Sequence, residues 1–169
     1  MPPIQKKICL LGDFAVGKTS LMHRFVEGIF DDKYLSTIGT KVSRKAITVQ
    51  DIALVLLIWD LAGGEKFGRL MHSYYRGAAG AILVCDLTRP ETLTALDRYT
   101  REFWSVAPNT PFVIVGNKAD LVKQREISDT DLAAFAEQHP SPWFTSSAKT
   151  GENVATAFQT LGQRLLKQK

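Results

Sequence analysis

The most chemically loaded run in the chain is GDFAVGKT, residues 12–19, where two glycines frame a loop that ends in a lysine and a hydroxyl. Its spacing is G-x-x-x-x-G-K-[ST], set between an apolar run and a segment of helical period. Such a loop can aim the backbone N–H groups of Asp13, Phe14, Ala15, Val16 and Gly17 at a chain of phosphates, together with those of Lys18, Thr19 and Ser20. The Lys18 ammonium would meet the β and γ charges, and the Thr19 hydroxyl would hold Mg2+. A carboxylate is placed to complete that metal site. Asp60 ends the apolar run LVLLIW, and in a parallel sheet the carboxyl ends of the strands share the edge where ligands bind. An acid there can hold the Mg2+ shell through water. A helix-capping acid is the lesser alternative for Asp60 alone, and the neighbouring phosphate loop weakens it further.

Two further motifs close strands on this edge: NKAD at 117–120, after FVIVG, and SAK at 147–149, after WFTS. Guanine presents N1–H and N2–H2 side by side, a pair that one carboxylate can accept and that adenine lacks. Asp120 is therefore the expected base-specificity residue. Asn117 is expected to brace the loop and Lys118 to lay its aliphatic stem on the purine face. The Ala148 N–H, flanked by Ser147 and Lys149, would donate to O6. By itself NKAD is also an ordinary strand-to-helix loop, but four sites on one edge tell against that.

Positioning these residues takes an alternation of strands and helices. ICLL (8–11), LVLLIW (54–59), AILVC (81–85), FVIV (112–115) and WFTSS (143–147) read as strands, the first four apolar throughout and so covered on both faces. KVSRKAITV, before Gln50 and Asp51, is more mixed and turns straight into the next strand, as an antiparallel edge hairpin would. Helical stripes lie between: Leu21, Met22, Phe25 and Val26, stopped by Gly28; Leu93, Leu96, Tyr99 and Phe103 after Pro90; Leu132, Phe135 and Ala136 after an N-capping Ser128 and before Pro140; and Val154, Ala157, Phe158, Leu161 and Leu165.

The 169 residues fit one domain, and 45% hydrophobic with 22% charged residues can build a core. The net charge of +4 is scattered, without the cationic run that nucleic acid or a membrane surface would call for. Cys9 and Cys85 sit inside apolar runs and read as core thiols of a reducing compartment. His23 and His139 lack metal-ligand companions and are expected on helix surfaces. No apolar stretch reaches the length of a membrane span, the start lacks a signal-peptide core, and RLLKQK offers no cysteine for a lipid.

With these motifs in place, the chain resembles a small GTPase of the Ras superfamily, most of all its Rab branch, over nearly its whole length. The likeness extends to FDDKYLSTIG (30–39), WD (59–60), SYYRGA (73–78) and TGENV (150–154). The resemblance implies an α/β P-loop NTPase fold, a three-layer sandwich with a six-stranded, mostly parallel sheet, one antiparallel edge strand and helices on both faces. It implies a single G domain over residues 1–169, binding GTP or GDP with Mg2+ as a cytoplasmic monomer. It places Phe30 edge-on to the guanine and Tyr34 near the phosphates. Thr37 would coordinate Mg2+ only when a γ-phosphate is present, and the Gly63 amide would bond that phosphate. Lys18, Thr37, Gly63 and Gly64 would be the catalytic positions. The bare stretch Leu61 to Gly64 then makes sense, since the site needs a naked N–H at residue 63 and a hinge that moves when the phosphate leaves.

Departures from the family pattern carry expectations of their own. Relatives with WDTAGQE place a water-orienting glutamine where this chain, reading WDLAGGE, has Gly64, so intrinsic hydrolysis is expected to be slow. Phe14 stands where many relatives have a small residue; it either crowds out an inserted arginine finger or turns outward harmlessly. Arg69 and His72 in the second switch are candidates to help hydrolysis, but the stronger reading of each is a solvent-facing helix residue. The aromatic triad that Rab relatives show to effectors reads here Val42, Trp59 and Tyr74. The missing C-terminal cysteines suit a prokaryotic relative or a trimmed tail, and membrane association is expected only where a lipidated tail has been removed. Exchange factor, activator and effector proteins are the implied partners. The alternative is a module that holds nucleotide and works through protein contacts with hardly any hydrolysis; a small-molecule P-loop kinase would need an acceptor pocket and an arginine-rich lid, and the sequence has neither.

Overall fold

The structure, a computed structural model, describes residues 2–30, 40–63 and 68–167. Six strands form one sheet: β1 (Ile4–Leu11), β2 (Thr40–Val49), β3 (Ile52–Leu61), β4 (Gly80–Asp86), β5 (Phe112–Asn117) and β6 (Trp143–Thr145), in the order β2-β3-β1-β4-β5-β6. All pairings are parallel except the hairpin of β2 with β3, as the pattern predicts. The helices are α1 (Lys18–Glu27), α2 (Gly68–Tyr75), α3 (Pro90–Val106), α4 (Asp129–Gln138) and α5 (Val154–Lys167).

Successive strand residues point to opposite faces, so an unbroken apolar strand must feed two cores. Along β1, β4 and β5, Cys9, Leu11, Ala81, Leu83, Cys85, Phe112 and Ile114 join one cluster with Tyr75, Leu96, Tyr99, Phe103, Leu132 and Phe135 from α2, α3 and α4. The intervening Ile8, Leu10, Ile82, Val84, Val113 and Val115 join the other, with Leu21, Met22, Val154, Phe158, Leu161 and Leu165 from α1 and α5. Covering on both faces is why the apolar runs do not alternate. Both cysteines are fully buried, and burial pushes their thiols up to about 12, so neither is a nucleophile at neutral pH.

The punctuation read from sequence holds. Gly28 caps α1 at φ 72°, Pro90 is the first residue of α3, and Ser128 caps α4 in a reciprocal box with Asp131. Two details differ. The expected strand 143–147 stops at Thr145, because the Ser146 and Ser147 hydroxyls donate to Asn117 Oδ1 and Asp120 Oδ1. His139 is not on a helix surface: it follows α4, sets its ring centroid 4.8 Å from that of Phe135 in a tilted contact, and places Nε2 3.2 Å from Asp97 Oδ1. His23 is half-buried on α1, its Nε2 2.9 Å from Lys41 Nζ.

Tyr75 is fully buried edge-on to Phe103, yet its hydroxyl has no hydrogen-bond partner among the described residues. An unsatisfied buried hydroxyl costs about 1–3 kcal/mol, whereas an apolar group of the same shape costs nothing comparable. Tyr75→Phe keeps the ring and is expected to raise unfolding stability by about 1 kcal/mol, read as a higher denaturant midpoint at unchanged slope.

Candidate nucleotide site

The strand order reverses at β1, where β3 and β4 flank it, and the loops leaving the strand ends meet there. GDFAVGKT leaves β1 and enters α1 at this point. Positive φ at Ala15 (63°) and Gly17 (103°), with Val16 between them, curls successive N–H groups toward a common concavity. The carbonyls are turned away and held. Lys18 Nζ donates to Gly12 O at 2.5 Å and Asp13 O at 3.0 Å, and Arg89 Nη2 to Phe14 O at 2.7 Å. Lys118 Nζ donates to Ala15 O at 2.9 Å, Asn117 Nδ2 to Val16 O at 3.0 Å, and Leu21 N to Gly17 O at 2.9 Å. A β-carbon at Gly17 would run into Asn117 Nδ2, so the glycine lets the base motif sit directly on the loop.

Gly17 also stands at the N-cap of α1, where no side chain caps the helix. Uncapped helix N–H groups and the helix dipole both favour an anion there. Lys18 points the same way. Burial lowers its ammonium to about 8, against the raising influence of Asp60 and Asp13 and with Arg89 adding to the depression. A polyanion beside this buried ammonium would favour its charged form.

Thr19 Oγ1 donates to Asp60 Oδ2 at 2.5 Å, and Asp60 is wholly buried at the end of β3. Among the described residues no three acidic, histidine or cysteine side chains gather. Two hard oxygens beside a phosphate loop, rather than a full protein cage, match the habit of Mg2+, which takes few protein ligands and completes its shell with water and phosphate. The residues present therefore fit that ion. Gly63 lies against the loop itself: a β-carbon there would sit 2.6 Å from Gly12 O, Asp13 C and Phe14 N. Only glycine allows this approach.

On the base side, Ser147 Oγ donates to Asp120 Oδ1 at 2.7 Å and itself accepts from Thr150 N at 3.0 Å. Ala119 N bonds Ser146 O at 2.9 Å, joining the two motifs, while Ala148 is buried and Lys149 exposed. Phe30 is half-buried against the α1 and α5 core. Tyr34, Thr37 and Gly64 lie outside the described residues, as does the Arg69 side chain.

Phe14 is half-exposed, at 51%. His72 is exposed as expected. Of the triad positions, Val42 is 50% exposed and paired opposite Trp59. Trp59 is half-covered, with Lys7 Nζ 3.8 Å from its ring centroid, and Tyr74 lies 6.1 Å away, tilted. Trp59 and Tyr74 are thus both partly covered, and Val42 is the exposed member of the three.

Asp86 and Arg89 escape the sequence reading. Asp86 ends β4 as Asp60 ends β3, and that parallel, AILVCD beside LVLLIWD, was the available signal. Burial works against the Asp86 charge, but hydrogen bonds from Lys118 and Thr88 outweigh it and hold the carboxyl below its usual range. Asp13 is also tied down, with Tyr99 Oη donating to its Oδ1 at 3.1 Å and Arg98 3.7 Å away.

The profile of the Ras family matches residues 7–167. The Ras-related protein Rab-22A of Homo sapiens is 39% identical over 160 residues, which cover 94% of this chain and 82% of that protein.

Proposed function

Because the chain belongs to the Ras family of small GTPases, near the Rab branch, we propose that it is a guanine-nucleotide switch whose own hydrolytic step is slow. Binding of GTP and its hydrolysis to GDP follow from membership. The finer assignments are ours. The observation that carries them is the fastening of NKAD to GDFAVGKT: Asn117 and Lys118 bond the carbonyls of Val16 and Ala15, so purine and phosphate sites share one hollow.

In that hollow the loop amides and Lys18 bind the phosphates, and Asp120, oriented by Ser147, accepts from guanine N1–H and N2–H2. The Ala148 amide donates to O6, with Lys118 and Phe30 on the purine ring. Thr19 and Asp60, with Thr37, would hold Mg2+, which would supply positive charge against the charge that builds on the phosphates. Gly63 keeps its N–H bare beside the loop for the γ-phosphate. Gly64 offers no side chain to orient water, so hydrolysis rests on placement and charge alone. Val42, Trp59 and Tyr74 are the surface we assign to effectors; an exchange factor and an activator set turnover.

Protein purified with Mg2+ and then denatured is expected to release about one equivalent of GDP or GTP. Release of adenine nucleotide in its place would overturn the guanine assignment. A nucleotide-holding module would share every binding contact, and Gly64 is the residue that favours it. GDP appearing over hours in single turnover decides for the switch, and its absence with every activator tried decides for the module.

A further inference from the structure

Arg89 has no part in the chemistry above, yet it reaches the centre of the phosphate loop. Its Nη2 donates to Phe14 O at 2.7 Å while its Nε bonds Asp86 Oδ2 at 3.1 Å. Lys118 repeats the arrangement from the base motif: Nζ bonds Ala15 O at 2.9 Å and the same Asp86 Oδ2 at 2.9 Å. One buried carboxylate thus anchors two cations, and each cation grips one of two consecutive carbonyls of the loop.

The peptide unit is planar and trans, so a carbonyl pinned outward turns the next residue's N–H inward. Pinning Phe14 O aims the Ala15 amide into the concavity, and pinning Ala15 O aims that of Val16. Ala15 lies between these peptides at φ 63°, a conformation that alanine adopts only where its surroundings hold it. Arg89 is itself held: Pro90 follows it and keeps its backbone extended, at φ −134° and ψ 98°.

We propose that Arg89, working from Asp86, is a positioning residue that keeps the phosphate loop in its binding shape and so sets how long a diphosphate stays bound. The proposal rests on the nucleotide site described above and adds to it a residue that touches no nucleotide. Arg89 holds only the phosphate side. Its loss leaves Lys118, Asn117 and Asp120 in place, so the effect falls on the β-phosphate and spares the base.

The test compares GDP with GMP on parent, Arg89→Ala and Arg89→Lys proteins, by dissociation of a fluorescent GDP chased with unlabelled GDP and by competition with GMP. For Arg89→Ala, GDP is expected to leave about tenfold faster with GMP affinity unchanged, a difference of about 1.4 kcal/mol confined to the β-phosphate. Arg89→Lys, with one point charge in place of a fork, is expected to fall between. GDP dissociation within about twofold of the parent in Arg89→Ala would overturn the proposal. So would equal weakening of GDP and GMP, the mark of a merely structural loss. Unchanged thermal melting in saturating GMP shows that Arg89→Ala is folded; should it not fold, Arg89→Lys carries the same comparison. Parent protein that holds ADP as well as GDP would defeat the guanine reading alone, and the clamp would then be read with ADP against AMP.

Discussion

Asp120→Asn is expected to swing base preference from GTP toward XTP by about four orders of magnitude, since sites built around a paired hydrogen bond reject an analogue lacking it by roughly that factor. The carboxylate accepts from two adjacent guanine donors. Xanthine carries an oxygen where guanine carries its 2-amino group, and that oxygen would face the acid lone pair to lone pair. An asparagine amide reverses the sense at that position. The substitution is gentle on the fold, because the side-chain oxygen of asparagine can still accept the Ser147 hydroxyl that now donates to Oδ1 at 2.7 Å. Competition of GTP and XTP for parent and variant reads the swing directly. An unshifted ratio would mean that Asp120 does not contact the base.

Gly64→Gln is expected to raise single-turnover GTP hydrolysis by between about ten- and a thousandfold, each factor of ten being about 1.4 kcal/mol of barrier. Gly63 lies against the backbone of Gly12, Asp13 and Phe14, and chain continuity keeps residue 64 within one Cα step of it. A glutamine there would restore a side chain able to donate to and accept from a water molecule. Rapid-quench measurement of GDP formed from preloaded GTP is the readout. A rate equal to the parent's would show that the missing side chain is not what slows the reaction.

Sequence made the sheet legible wherever burial on both faces forced a continuous apolar run, as in β4 and β5, whose observed bounds extend the expected ones by only a residue or two. It understated β1, because Ile4–Lys7 is largely exposed and contributes strand without apolar pattern. It overextended β6, where two serines of acceptable strand character are drawn to Asn117 and Asp120. Motif residues were legible because their chemistry is tied to fixed spacing: Lys18 follows Gly17 and Asp120 follows Asn117 whatever the rest of the chain does. Arg89 was not, since its target, a carbonyl 75 positions away, leaves no local trace. The half-covered state of Trp59 was hidden likewise, for Lys7 lies on a different strand. Both depend on which strands become neighbours, which a linear pattern does not state.

The bare first turn of α1 makes occupancy and folding one equilibrium. Where α4 carries its own acceptor in Ser128, this helix borrows it from its cargo, so an emptied protein is short of a structural part as well as a signal. Each occupied molecule is stabilised in proportion to the logarithm of ligand concentration over its dissociation constant, and a protein that ejects the nucleotide must lend an acceptor of its own or let the next guest arrive before the turn frays.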